Sequence, residues 1–199
     1  WVGEGILEQQ GRAGGARRSG DRIVRPGHDG VGTMLQVVTT KTLALFAGRA
    51  HAALAEQVAA ELGVRLNDVE LRTFQDGEIY CRFQESVRGT DVFVIQSMGA
   101  PLNDHLVEHL IMIDALKRAS AKRVTAITPY YPYARQDKKS RSREPITARL
   151  IANMYEAAGI DRLVSVDLHA GQVQGFHSSP LDHLTALPLL CDYVGGHAD

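Results

Sequence analysis

From residue 43 onward the apolar positions fall into short blocks whose spacing changes between two periods. Leu43 to Ala47 is a compact apolar run that predicts a strand, and Leu54, Val58 and Leu62 then recur at helical spacing until Gly63 stops them. Val69 to Phe74 and Ile79 to Phe83 read as two strands around the turn residues Asp76 and Gly77, and Asp91 to Gln96 as another. Pro101 opens a long helix with Leu102, Leu106, Leu110, Ile113 and Leu116 on its apolar face, and Arg123 to Thr128 follows as a buried strand. A last unit repeats the alternation. Pro145 starts a helix marked by Ile146, Leu150, Ile151, Met154 and Tyr155, Gly159 ends it, and Arg162 to Asp167 is the next strand. Strands alternating with helices predict an α/β fold, a mainly parallel sheet with helices on both faces and an inserted hairpin.

Residues 1 to 40 read differently. Nine of the 19 glycines precede Met34 and the apolar residues there have no period, so this stretch is expected to be a disordered leader ahead of one domain spanning 41–199. The first residue is Trp1, which implies either a piece of something longer or a start at Met34. A formal charge of −1 gives no global field for nucleic acid or membrane, so an anion site has to be built locally. Two distant cysteines argue against a disulfide framework and for the cytoplasm, and no apolar stretch is long enough to span a bilayer.

In a parallel sheet the chemistry is expected beyond the carboxyl ends of strands. Three loops stand out. Phe74-Gln75-Asp76-Gly77-Glu78 offers two carboxylates beside an aromatic ring, suited to an amino group or ribose hydroxyls, although an Asp-Gly turn is by itself simply a hairpin. Between Arg135 and Glu144 there are five cationic and two anionic residues, preceded by Tyr130, Tyr131 and Tyr133. Such a loop expects a polyanion, and a nucleoside triphosphate supplies both phosphates for the cations and a base for the rings. An RNA-binding patch is the other reading of that charge, but it should spread basic residues over a face. The third loop, Asp167 to Phe176, delivers Asp167 and His169 to the same side if the strand stays extended, where the imidazole can ligate a divalent ion and the carboxylate can orient it.

The segments FQDGE, YYPYARQDKKSRSREPITARLIAN and DLHAGQVQGF, in this order, resemble the ribose-phosphate diphosphokinase family over about residues 43 to 193. The resemblance implies a phosphoribosyltransferase-like fold and transfer of the diphosphoryl group of magnesium-ATP to the 1-hydroxyl of ribose 5-phosphate, giving AMP and phosphoribosyl diphosphate. It implies that Asp76, Gly77 and Glu78 hold the adenine end of ATP across a subunit interface in a homo-oligomer, that Arg135 and Gln136 hold the nucleotide with Asp137 close by, and that His169 ligates Mg2+. Ser86 and Arg88, with Lys138, Arg141, Ser142 and Arg143, resemble the family's regulatory phosphate and ADP region. The family's second domain, with its acidic ribose-phosphate loop and its mobile loop bearing catalytic lysine and arginine, has no counterpart in the sequence, so no catalytic side chain is assigned. The pattern also departs at His177 and Ser178, where the family has a phenylalanine and an acid.

Three rival readings stand beside this one. A non-catalytic regulatory homologue would keep the fold without the acceptor site, and a phosphoribosyltransferase ranks lower because it would lack the ATP-binding motifs. His105-Leu106-Val107-Glu108-His109 also matches the H-x-x-E-H pattern of inverted zinc peptidases, with both histidines on one helix face and Glu108 as base.

Overall fold

The computed structural model describes residues 43–196. The expected leader and the Met34 start lie outside these residues. Seven strands and four α-helices follow in chain order: β1 (Leu43–Ala47), α1 (Ala52–Glu61), β2 (Val69–Thr73), β3 (Ile79–Phe83), β4 (Asp91–Ile95), α2 (Leu102–Arg118), β5 (Arg123–Thr128), α3 (Thr147–Ala158), β6 (Arg162–Val166), β7 (Leu181–Leu184) and α4 (Leu187–Gly195). Five strands form one parallel sheet in the order β1-β4-β5-β6-β7, while β2 and β3 pair antiparallel as a separate hairpin.

Alternation along the strands divides the core in two. Phe46, Val92, Val94, Val124 and Ala126 face α2 and α3 within the larger cluster, which also contains Met112, Ile113, Ile151 and Tyr155. Leu45 and Ile95 point the other way and pack with Ala55 and Ala59 of α1. Chain direction explains why the helices divide. The first crossover runs outward from β1 to an isolated parallel bridge between Leu45 and Leu66, and the later ones run inward through β4, β5 and β6. Right-handed crossovers of opposite sense put their helices on opposite faces, and the reversal lies between β1 and β4.

The buried helix faces differ from those the leucine spacing predicts. In α1 the buried residues are Ala55 and Ala59, and Leu62 is left 58% exposed, because a helix lying close on β1 needs small side chains at the contact. In α3 the buried set is Ala148, Ile151, Ala152 and Tyr155, while Ile146 precedes the helix and Leu150 faces outward. In α2, Glu108 and His109 are buried along with Leu106, Met112, Ile113 and Leu116. Strand β7 and helix α4 carry no sequence expectation, and none of the residues of α4 is buried.

Candidate functional site

The loop after β5 rises from the carboxyl end of the sheet, and four buried residues anchor it: Tyr131, Pro132, Ala134 and Asp137. Its backbone turns through Tyr133 at φ 57°, whose hydroxyl donates to Asn103 Oδ1, and Gln136 then ties the loop to α3. The Gln136 carbonyl accepts from Ala148 N at 3.1 Å and its side-chain oxygen accepts from Thr147 Oγ1 at 2.5 Å. Those contacts satisfy groups at the start of α3, so Gln136 holds the loop in shape. Glu144 does the same further along, accepting from the backbone N–H groups of Ser140 and Arg141 at 2.8 Å each. The cations are left free. Arg135, Lys138, Lys139, Arg141 and Arg143 are all exposed, and none of them forms an ion pair among the described residues.

The loop after β6 meets this one. Tyr130, Tyr131, Ala134 and Arg135 line a cavity of about 170 Å³ together with Asp167, Leu168 and His169. A second cavity of about 300 Å³ is lined by Leu102, Asn103, Tyr130, Tyr133, Arg135 and Gln136. Tyr130 and Arg135 thus border both, and two of the three loops singled out by sequence converge as expected.

Asp167 does not behave as its spacing from His169 suggests. It takes φ 45°, which ends the extended run, and its carboxylate accepts from Thr185 Oγ1 at 2.9 Å and from Ala186 N at 3.2 Å. It fixes the segment leading into α4 and makes no hydrogen bond to His169 among the described residues. The loop is steadied by His183, outside the motifs, and by Gln172, within the third. His183 Nε2 accepts from Leu168 N at 2.9 Å, and Gln172 Nε2 donates to Asp137 Oδ2 at 2.5 Å. Asp137, 6% exposed, is therefore a tie between the two loops.

His169 is exposed and lines the smaller cavity. Among the described residues no group of three or more His, Cys, Asp or Glu side chains could hold a metal. That donor set does not make a resident cage. It fits a divalent ion that arrives on phosphate oxygens, keeps most of its waters and takes one protein ligand.

The departures at His177 and Ser178 are partly accommodated, since His177 Nδ1 is buried without a hydrogen-bond partner among the described residues. Tyr131 donates its O–H to the Ala148 carbonyl at 3.1 Å, so His177 Nε2, 3.0 Å from the same hydroxyl, carries the hydrogen and donates. Burial holds the His177 imidazole below its ordinary pKa against the opposing pull of Glu156, with Arg149 adding to the lowering. Ser178 N and Oγ both bond the Glu156 carboxylate.

The zinc pattern on α2 is not a metal site. His109 is fully buried, with Nδ1 3.1 Å from Tyr155 Oη and Nε2 3.3 Å from the Val94 carbonyl. Glu108 accepts from Arg49 and Gln96, and His105 Nδ1 lies 2.9 Å from the Gly99 carbonyl. Every member already has a protein partner.

The hairpin stands apart. Gly77 takes φ 93°, which a side chain would strain, and Asp76 Oδ1 accepts from Glu78 N at 3.1 Å to close the turn. Gly77 lines a cavity of about 360 Å³ with Arg49, Thr73, Ile79, Pro101, Asp104, His105 and Glu108, a lining that includes neither Arg135 nor His169. Ser86 lines another, with Leu43, Arg65, Glu85 and Thr90, at the amino ends of β1 and β4. Ser86 thus lies near the amino ends of the strands, while the loop from Lys138 to Arg143 belongs to the segment that follows the carboxyl end of β5.

Residues 43–159, more than half of the chain, match the family described as the N-terminal domain of ribose phosphate pyrophosphokinase. The chain belongs to that family. It is 62% identical over 154 residues to the ribose-phosphate pyrophosphokinase of Corynebacterium efficiens, covering 77% of this chain and 47% of the relative. It is 56% identical over 167 residues to that of Streptomyces coelicolor, covering 84% and 52%. The crystal structure of phosphoribosylpyrophosphate synthetase from Mycobacterium smegmatis superposes with a TM-score of 0.78 at 62% identity, over 79% of this chain and 53% of that one. The chain spans about half the length of the ribose-phosphate pyrophosphokinases it matches.

Proposed function

We propose that this chain is the ATP-binding half of a ribose-phosphate diphosphokinase. The observation that carries the reading is the unpaired set Arg135, Lys138, Lys139, Arg141 and Arg143 on a loop that shares its cavity with Tyr130 and His169. A triphosphate answers that excess of charge, and an aromatic face or a guanidinium plane can stack on the base. In the reaction the 1-hydroxyl of ribose 5-phosphate forms a bond to the β-phosphorus, the bond between that phosphorus and the α-phosphate oxygen breaks, and AMP leaves. Mg2+, when bound, neutralises charge on the phosphate oxygens. Arg135 orients the nucleotide, the cationic loop offsets charge that builds on the transferred group, and His169 supplies the protein ligand to the ion. Asp76 and Glu78, which line neither cavity bordered by Arg135, hold the adenine end of a nucleotide on a neighbouring copy, so the working unit is at least a dimer. The setting is cytoplasmic nucleotide biosynthesis. No helix among the described residues is long and apolar enough to cross a membrane.

The test is calorimetric titration of the purified chain with magnesium-ATP beside an assay for AMP release with ribose 5-phosphate. Binding is expected. Binding without AMP release assigns the chain a nucleotide-holding or regulatory part, release with phosphoribosyl diphosphate assigns it the full reaction, and no binding rejects the reading.

A further inference from the structure

The reversal point between β1 and β4 is occupied by a closed polar cluster. Gln96, 1% exposed, donates from Nε2 to Glu108 Oε1 at 2.9 Å and to the His105 carbonyl at 3.2 Å, while its Oε1 accepts from Ala50 N at 3.2 Å. A Cβ at Gly48 would overlap the Gln96 side chain, so the glycine is needed for the chain to pass. Arg49 completes the cluster, donating from its backbone N to Glu108 Oε1 at 2.8 Å and from Nε to Oε2 at 2.5 Å. Glu108 is itself 1% exposed, and all of its neighbours donate to it.

Arg49 also reaches outward. Its Nη2 donates to Thr73 Oγ1 at 2.9 Å, at the last residue of β2 before the Phe74–Glu78 turn. Among the described residues and apart from the β2–β3 ladder itself, no other hydrogen bond or ion pair joins residues 70–80 to the rest of the chain, although Leu71, Cys81 and Phe83 pack against the core. The bonds of the turn, Phe74 N to the Glu78 carbonyl and Gly77 N to the Phe74 carbonyl, are internal, as is the stack of Arg72 over Phe74 and Tyr80. A guanidinium is the side chain for this task, because its planar fork presents one edge to the carboxylate and a further nitrogen to the hydroxyl. A lysine ammonium lacks that fixed fork and presents its donors from a single nitrogen.

We propose that Arg49 is a positioning residue, a strut from the buried Glu108 that fixes the Phe74–Glu78 turn through Thr73 and so sets how firmly Asp76 and Glu78 hold a nucleotide. The second half of this statement rests on the function proposed above; the first does not.

Two variants of the whole chain separate the parts. Thr73→Val removes the acceptor and keeps the shape, and Arg49→Lys keeps a charge opposite Glu108 and loses the second reach. Hydrogen exchange of the Phe74 and Gly77 amides is expected to quicken by about fivefold or more in both variants, with β4 and β5 amides unchanged. Unchanged exchange at the turn overturns the strut. Thr73→Ser, which restores a hydroxyl, is expected to return wild-type exchange, and failure to do so has the same force. Magnesium-ATP titration is run in parallel with Arg135→Ala as comparator, and Thr73→Val is expected to weaken binding by about threefold to tenfold. If Arg135→Ala weakens binding and Thr73→Val does not, the link to the nucleotide is overturned. If neither does, or if wild type does not bind, it is the nucleotide reading that fails, and exchange alone decides the strut.

Discussion

The side-chain amide of Gln172 and the carboxylate of Asp137 meet at 2.5 Å, and this contact joins the loop after β6 to the loop after β5. Asp137 is buried and Gln172 exposed, so removing the carboxylate loses a charge-assisted bond, at about 1.5–3 kcal/mol, and leaves the amide to water. Asp137→Ala is therefore expected to lower the urea midpoint and to weaken magnesium-ATP binding together. Asp137→Asn, which keeps an acceptor oxygen, is expected to retain most of both. Equal loss in the two variants would show that the carboxylate charge, and not the tie, is what matters.

Arg135→Ala is expected to separate affinity from stability. The side chain is exposed and has no partner among the described residues, so the thermal midpoint should move by no more than about 0.5 kcal/mol equivalent. Loss of a charged donor to phosphate is expected to weaken nucleotide binding by about tenfold or more. Differential scanning and titration of one preparation check both numbers.

For His169→Ala the expected change lies in the metal dependence. With a single protein ligand lost, the magnesium concentration needed for half-maximal nucleotide binding should rise, while binding of metal-free ATP stays the same. Titrating magnesium at fixed ATP in both proteins reads this directly.

Burial holds the His109 imidazole down at about pKa 4 against its ordinary 6.5, with the bond to the Val94 carbonyl opposing the shift. The unfolded chain takes up a proton near pH 6.5 and the folded one only near pH 4, so between those values the unfolded state binds more protons. Stability is then full above pH 6.5 and falls as pH drops toward 4, by about 3 kcal/mol from this group. His177, also held low by burial, acts with the same sign. Urea midpoints between pH 7 and 4.5 are expected to decline in the wild type and to decline less in His109→Gln, which cannot titrate.

Much of the fold is written in local pattern. Leu43 to Ala47, Ile79 to Phe83 and Arg123 to Thr128 coincide with β1, β3 and β5, because each is an apolar run cut off by turn residues. The helix faces were less legible. Leucine spacing marks greasy positions, but the closest approach of α1 to β1 is decided by space, and there Ala55 and Ala59 go inside. In the site, the meeting of Arg135 and His169 follows from the rule about strand ends. The roles of Gln136, Asp137 and Asp167 do not, since Thr147, Gln172 and Thr185 are their partners and nothing near them in sequence announces it. The left-handed turn at Asp167 was equally hidden, because the residue is not a glycine.

The separate β2–β3 hairpin also bears on the order in which the chain assembles. Pairing of β1 with β4 must wait for Leu43 to find Asp91, whereas Thr73 and Ile79 have only a short turn to close. Hairpins of this kind form in about 1–10 μs, ahead of distant parallel contacts. By drawing residues 69–83 together early, the hairpin shortens the excursion that β1 and β4 have to span, so the element that stands outside the sheet helps the sheet to close.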